Sequence, residues 1–168
     1  LNVKAAKNGI ACYNAVVINS GTVNVTAGND GIKSSPDDGD EASEGKITIK
    51  GGTINVNATE DGIQAGSDIT VSGGTISIVS GDDAFNADNV TVTDGTVTIS
   101  CSDDAIHADS TLTIGVDGSA SGPVITVTKS HEALEGATIN LYSGTGSFTA
   151  EDDGLNAASG SGESSFGP

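Results

Sequence analysis

The chain has 168 residues, and its 23 Asp and Glu against 6 Lys and Arg give a formal net charge of −17, which excludes nucleic acid and anionic membrane surfaces as expected partners. Only 3% of the residues are aromatic and there is no Trp or Met, so any core must be thin and aliphatic. A hydrophobic content of 35%, spread in regular alternation, argues against a disordered acidic polymer.

The predicted elements follow a repeat. In chain order, a polar or acidic pair, a small residue and a large apolar one recur as Lys7-Asn8-Gly9-Ile10, Asn29-Asp30-Gly31-Ile32, Glu60-Asp61-Gly62-Ile63, Asp82-Asp83-Ala84-Phe85, Asp103-Asp104-Ala105-Ile106, His131-Glu132-Ala133-Leu134 and Asp152-Asp153-Gly154-Leu155. The small residues are spaced by 22, 31, 22, 21, 28 and 21 positions, a unit of 21 or 22 residues with two insertions. Such a period predicts a solenoid whose coils supply each other's hydrogen bonds.

Aligned on the pair, each unit carries three apolar columns with the period-2 alternation of strands buried on one face. The first opens on Ile10, Ile32, Ile63, Phe85, Ile106, Leu134 and Leu155. The second runs from Val16/Ile18 through Ile47/Ile49 and Val90/Val92 to Ile139/Leu141, and the third from Val23/Val25 through Ile54/Val56 and Val97/Ile99 to Phe148. Glycines at Gly21, Gly51-Gly52, Gly73-Gly74, Gly95 and Gly144 mark the corner between the second and third strands, where positive φ is cheap. The expected fold is all-β, a right-handed parallel β-helix (β-solenoid) of about seven coils with three strands per coil; its hand rests on the general preference of parallel crossovers. Residues 1–158 form one domain in this reading, and the Gly/Ser-rich stretch 159–168 is an end or linker.

The insertions are Ser35 to Ser43, after the second acidic pair, and Val116 to Gly122; their Pro, Gly and Ser content marks loops. The first is acidic but lacks the alternating acids and distal Glu of an EF-hand loop. Cys12 and Cys101 fall in different coils, too far apart for a disulfide, and read as small buried fillers that leave the redox compartment open. No segment has the apolar length of a membrane span, and any secretion signal is expected outside this segment.

Stacking places equivalent carboxylates ~4.8 Å apart, a separation at which two unit charges repel by about 1 kcal/mol even in water. The column Asp30, Asp61, Asp83, Asp104, Glu132 and Asp153, flanked by Glu60, Asp82, Asp103 and Asp152, therefore calls for counter-charge. Ca²⁺ takes six to eight oxygens, and paired carboxylates from two coils with turn carbonyls can supply them, so several Ca²⁺ ions are expected. Asn86, Asp88, Asp109, Glu135 and Asn156 are possible additional oxygen ligands, and the strongest sites are expected around Glu60-Asp61, Asp82-Asp83 and Asp103-Asp104. Transition metals are disfavoured in this reading because only His107 and His131 and two distant Cys could serve them. The alternative is that Asp-Gly and Asp-Ala merely favour a turn; Asn or Ser would serve a turn equally well, yet successive units keep two acids.

The turns EDGIQA, DDAFNA, DDAIHA and DDGLNA, followed by strands such as DITVSGGTISI, resemble a family of secreted clostridial-type calcium-binding carbohydrate-binding domains with a polysaccharide-lyase-like right-handed β-helix. The resemblance covers residues 7 to about 158. It implies an extracellular or cell-surface location, calcium held by the stacked turns at Asp61, Asp82, Asp83, Asp103, Asp104, Asp152 and Asp153, and binding to cell-wall polysaccharide such as cellulose or acidic, pectin-like glycans. The chain departs from the acid pair at Lys7-Asn8 and His131-Glu132.

Three functions stay open at this level. One is a non-catalytic, calcium-dependent polysaccharide-binding or adhesion module. Another is a calcium-stabilised structural fibre or surface protein built by end-to-end association of copies. The last is a polysaccharide lyase resembling pectate lyase, whose base would fall to Lys33 or Lys129; charge balance in an acidic ladder explains both lysines more simply.

Overall fold

The computed structural model describes residues 1–35 and 45–158, among which there is no helix. In chain order the strands are β1 (Asn2–Ala5), β2 (Ile10–Cys12), β3 (Ala15–Ile18), β4 (Thr22–Ala27), β5 (Ile32–Ser34), β6 (Lys46–Ile49), β7 (Thr53–Ala58), β8 (Ile63–Ala65), β9 (Asp68–Ser80), β10 (Phe85–Ser100), β11 (Ile106–Ile114), β12 (Val124–Lys129), β13 (Leu134–Leu141), β14 (Thr145–Phe148) and β15 (Leu155–Asn156).

All of them pair in parallel, in three ladders. The first joins β2, β5, β8, the opening residues of β10, β11 and β13, and then β15. The second joins β3, β6, the opening of β9, the middle of β10 and the ends of β11 and β13. β1, β4, β7, the ends of β9 and β10, β12 and β14 make the third. This long parallel sheet is consistent with a β-solenoid. Its register follows the sequence repeat: Ile10, Ile32, Ile63, Phe85, Ile106, Leu134 and Leu155 stand opposite one another in the first ladder.

Alternation fills the interior. Ile32, Ile47, Ile54, Ile63, Phe85, Val90, Val97, Ile106 and Leu112 are fully buried, each side chain contributing about 1.5–3 kcal/mol of transfer free energy. The core thins at the last strands, where Leu141 is 55% and Leu155 48% exposed, because no further strand covers them among the described residues.

The corner before the third ladder needs glycine for two reasons. Gly74 and Gly95 have φ of 96° and 104°, and a Cβ on either would lie 2.9 Å from the carbonyl oxygen of the equivalent glycine one coil back. The insertions enter at two different corners. Residues 36–44, most of the first, lie outside the described residues, as does 159–168. The second falls between β11 and β12 and closes with a Ser119 N–H to Val116 carbonyl bond of 3.0 Å. Both cysteines are free thiols; Cys101 is buried, which together with the nearby Asp83 and Asp104 charges pushes its thiol up to about 12, whereas Cys12 is half-buried.

Candidate metal-binding corner

The acidic pairs sit at the corner that leads into the first ladder, and the two members of a pair have different surroundings. Glu60, Asp82, Asp103 and Asp152 are exposed, whereas Asp30, Asp61, Asp83 and Asp104 are only 4–7% exposed. Their burial follows from a hydrogen-bond ladder. Asn8 Oδ1 accepts the backbone N–H of Asp30 (3.2 Å), Asp30 Oδ1 that of Asp61 (3.2 Å), Asp61 Oδ1 that of Asp83 (3.1 Å), and Asp83 Oδ1 that of Asp104 (2.9 Å). Each side chain thus satisfies a buried amide one coil further on. Asn8 performs the same task at the start, so an acceptor oxygen is what the turn requires, not a charge.

The second carboxylate oxygen faces the column two residues after the small residue. Lys33 Nζ lies 2.9 Å from Asp30 Oδ2. Asn86 donates its amide to Asp61 Oδ2 at 3.2 Å and Asp83 Oδ2 at 3.0 Å, and Asn156 donates to both oxygens of Glu132 at 3.0 and 2.9 Å. His107 Nδ1 lies 3.0 Å from Asp104 Oδ2 and 3.2 Å from Glu135 Oε2, while its Nε2 lies 3.2 Å from Asp109 Oδ1. Gln64, in register between Lys33 and Asn86, leaves its buried Oε1 without a partner.

Electrostatics set Asp61 and Asp83 apart from Asp104, which has His107 beside it. Burial, with the Asp30 and Asp82 charges, pushes Asp61 up to about 6. Burial, only partly offset by the Asp104 N–H, pushes Asp83 up to about 8, with the charges of Asp61 and Asp104 adding to it. Asp103 is raised by burial and by Asp104 and Asp82, and Asp88 by burial and Asp109. Burial also opposes the charged form of Asp104, yet hydrogen bonds from His107 and Glu135 hold that carboxyl below its ordinary value. The same contacts push His107 up to about 10, led by its bond to Asp104, and Glu135 up to about 7, led by the hydrogen bond it shares with Asp104.

Among the described residues, four groupings bring three ligand atoms within 4.8 Å of one another: Asp82, Asp83 and Asp103; Asp103, Asp104 and His131; Asp104, His107 and Glu135; His131, Glu132 and Asp152. Such clusters could hold metal ions. The first is an all-oxygen set, the donor chemistry of a hard cation, and at Gln64 the orphaned oxygen beside the carboxylate column is a further acceptor without a donor. Asp30, Glu60, Asp61 and Asp153 fall in none of these groups: Asp30 faces Lys33, and Asp61 takes its contacts from Asp83 and Asn86. Of the additional candidates, Glu135 joins a group, Asp109 holds His107, Asp88 stands beside Asp109, and Asn86 and Asn156 present amide nitrogens to carboxylates.

The sequence reading passed over both histidines as ligands, and the structure brings them together. His107 and His131 share an open cleft of about 590 Å³ with Asp83, Asp103, Asp104 and Glu135. The available signal was positional: His107 and Glu135 are register partners in the column after the small residue, and His131 replaces the first acid of a pair.

No curated protein and no solved structure matches this chain. A family model described as carbohydrate-binding domain-containing protein matches residues 1–121, most of the chain and the larger part of the stacked acidic corner, and the chain belongs to that family.

Proposed function

We propose that this protein is a non-catalytic, calcium-binding right-handed β-helix of about seven coils that works outside the cell by holding cell-wall polysaccharide, either a neutral glycan such as cellulose or an acidic, pectin-like one. The observation that carries this reading is the segregation of charge around the coil. Acids crowd the corner before the first ladder, whereas the outward face of the third ladder has none among its described residues: Thr22, Thr53, Thr75 and Thr96 stand in register, beside Asn24, Asn55, Ser77 and Thr98. Side-chain bonds from Asn24 to Asn2 (2.7 Å) and from Asn55 to Asn24 (2.8 Å) hold part of that face in place before any ligand arrives.

This acid-free array of hydroxyls and amides, with Lys4 and Lys129 at its edge, suits a neutral, hydroxyl-rich chain, to which it can both donate and accept. The acidic corner suits uronates only when a cation bridges the two sets of carboxylates, and Asp82, Asp83 and Asp103 supply oxygens for one. With two Tyr and no Trp to stack on sugar rings, affinity per contact is low and binding rests on many repeated contacts.

The test is calorimetric titration with Ca²⁺, paired with pull-down on insoluble cellulose and on immobilised polygalacturonate, each in calcium and in chelator. Calcium binding, cellulose retention in both conditions and polygalacturonate retention only in calcium are expected. Failure to retain either polysaccharide in calcium overturns the reading. Release of reducing ends or of unsaturated uronates overturns its non-catalytic part.

A further inference from the structure

We infer that Asp104, His107 and Glu135 form a site for a borderline divalent metal of the zinc or cobalt type, distinct from the hard-cation site at Asp82, Asp83 and Asp103. Three features of the cluster point to nitrogen-selective coordination. The first is convergence on one point: Asp104 Oδ2 lies 3.0 Å and Glu135 Oε2 3.2 Å from His107 Nδ1, and the three ligand atoms lie within 4.8 Å of one another.

The second is orientation of the imidazole. Asp109 Oδ1 lies 3.2 Å from His107 Nε2, so once a metal takes Nδ1 this carboxylate is placed to keep the remaining ring proton on Nε2. A carboxylate on the far nitrogen is the arrangement that fixes the tautomer and raises the basicity of metal-bound histidines. A divalent metal at this point would replace the proton through which the ring meets Asp104 in the metal-free chain.

The third is access. Asp104 is 6% exposed, while the His107 and Glu135 side chains keep 22% and 18%, so the site has a buried floor and opens into the cleft it shares with His131. Two carboxylates and one imidazole leave coordination positions for water or a sugar hydroxyl, and an imidazole ligand favours zinc, cobalt or nickel over calcium. The neighbouring coil supplies its own comparison. Asn86 is the register partner of His107 and bonds Asp83 as His107 bonds Asp104, with an amide that offers a metal no imidazole nitrogen.

That comparison defines the test. His107→Asn installs the side chain that the fold already accepts one coil back, so the variant folds, with a melting transition in chelator to verify it. Metal-stripped wild-type and variant chains are titrated with Co²⁺, followed by visible absorption, and separately with Zn²⁺ and Ca²⁺ by calorimetry. The wild type is expected to bind Co²⁺ and Zn²⁺ with a nitrogen-ligated cobalt spectrum. His107→Asn should weaken both by at least tenfold and leave the Ca²⁺ titration unchanged, and Asp109→Asn should weaken them by about 10–100-fold. Absence of Co²⁺ and Zn²⁺ binding in the wild type, or equal affinity and spectrum in His107→Asn, overturns the assignment; neither result bears on calcium or glycan binding.

Discussion

The Oδ1 atom of Asp83 accepts the backbone N–H of Asp104 at 2.9 Å, one coil further along the chain. Through this bond a side chain that reads as a metal ligand also closes the backbone of the next turn. Structure and charge therefore make separable demands on one residue.

Asp83→Ala removes the acceptor and leaves the buried Asp104 N–H without a partner, a loss of about 1–3 kcal/mol in metal-free denaturant titrations. Asp83→Asn keeps an Oδ1 in place, as Asn8 does for Asp30, and, with the Asn86 amide turned to accept from the new NH2, is expected to cost less than Asp83→Ala. The pair Asp82→Asn and Asp83→Asn should leave metal-free stability unchanged or raised and abolish most of the rise in melting temperature that calcium produces. An equal loss with and without calcium would remove the metal role from these residues.

Stability of the metal-free chain should fall as pH rises from about 4 to about 8. The folded-state values of Asp61, about 6, and Asp83, about 8, lie above the ordinary 3.8, so in that window the folded chain holds more protons than the unfolded one and raising the pH favours unfolding. His107 has the same sign over a later range: its contribution is complete below about 6.5 and is lost as pH rises through about 10. Melts of stripped protein across this range check the slope. A plateau from pH 4 to 8 would contradict the burial of uncompensated carboxyls.

Lys33 supplies the counter-charge for Asp30, whose side chain is 6% exposed against 31% for the lysine. Lys33→Met should destabilise by about 1–3 kcal/mol, less than for a fully buried pair because the ammonium is partly solvated. Asp30→Asn in the same background should recover most of the loss. A double-mutant cycle reads the coupling directly.

Gly62→Ala should cost about 1–3 kcal/mol, although Ala84 occupies the equivalent position one coil later. A Cβ on Gly62 would lie 2.8 Å from the Ala84 carbonyl oxygen and press against the Ile78 Cγ2 methyl. A fall in the urea midpoint at constant slope is the expected signature.

Much of the architecture was legible in the sequence because a solenoid writes its geometry as a period. Ile32, Ile63 and Phe85 recur at the spacing that stacks them, and alternation of the kind seen in Thr53–Ala58 states which side is inside. Gly74 and Gly95 were legible as corners because few other residues adopt their φ. The repeat also placed the acidic pairs in columns along one corner.

What the pattern of residue types could not decide was the direction of each oxygen. The burial of Asp83 against the exposure of Asp82, the use of Oδ1 as a backbone acceptor and the capture of Asp30 by Lys33 depend on where the turn aims each side chain. The repeat put His107 and Glu135 in one column, but it could not aim Nδ1 of the one at Oε2 of the other or turn the far side of the ring toward Asp109, because those contacts depend on how each side chain leaves its strand. One chain of local rules determined the period, the strands and the acid columns. Only the packed tertiary structure decided which carboxylates share a centre, because coordination is set by distances of a few ångströms between atoms tens of residues apart.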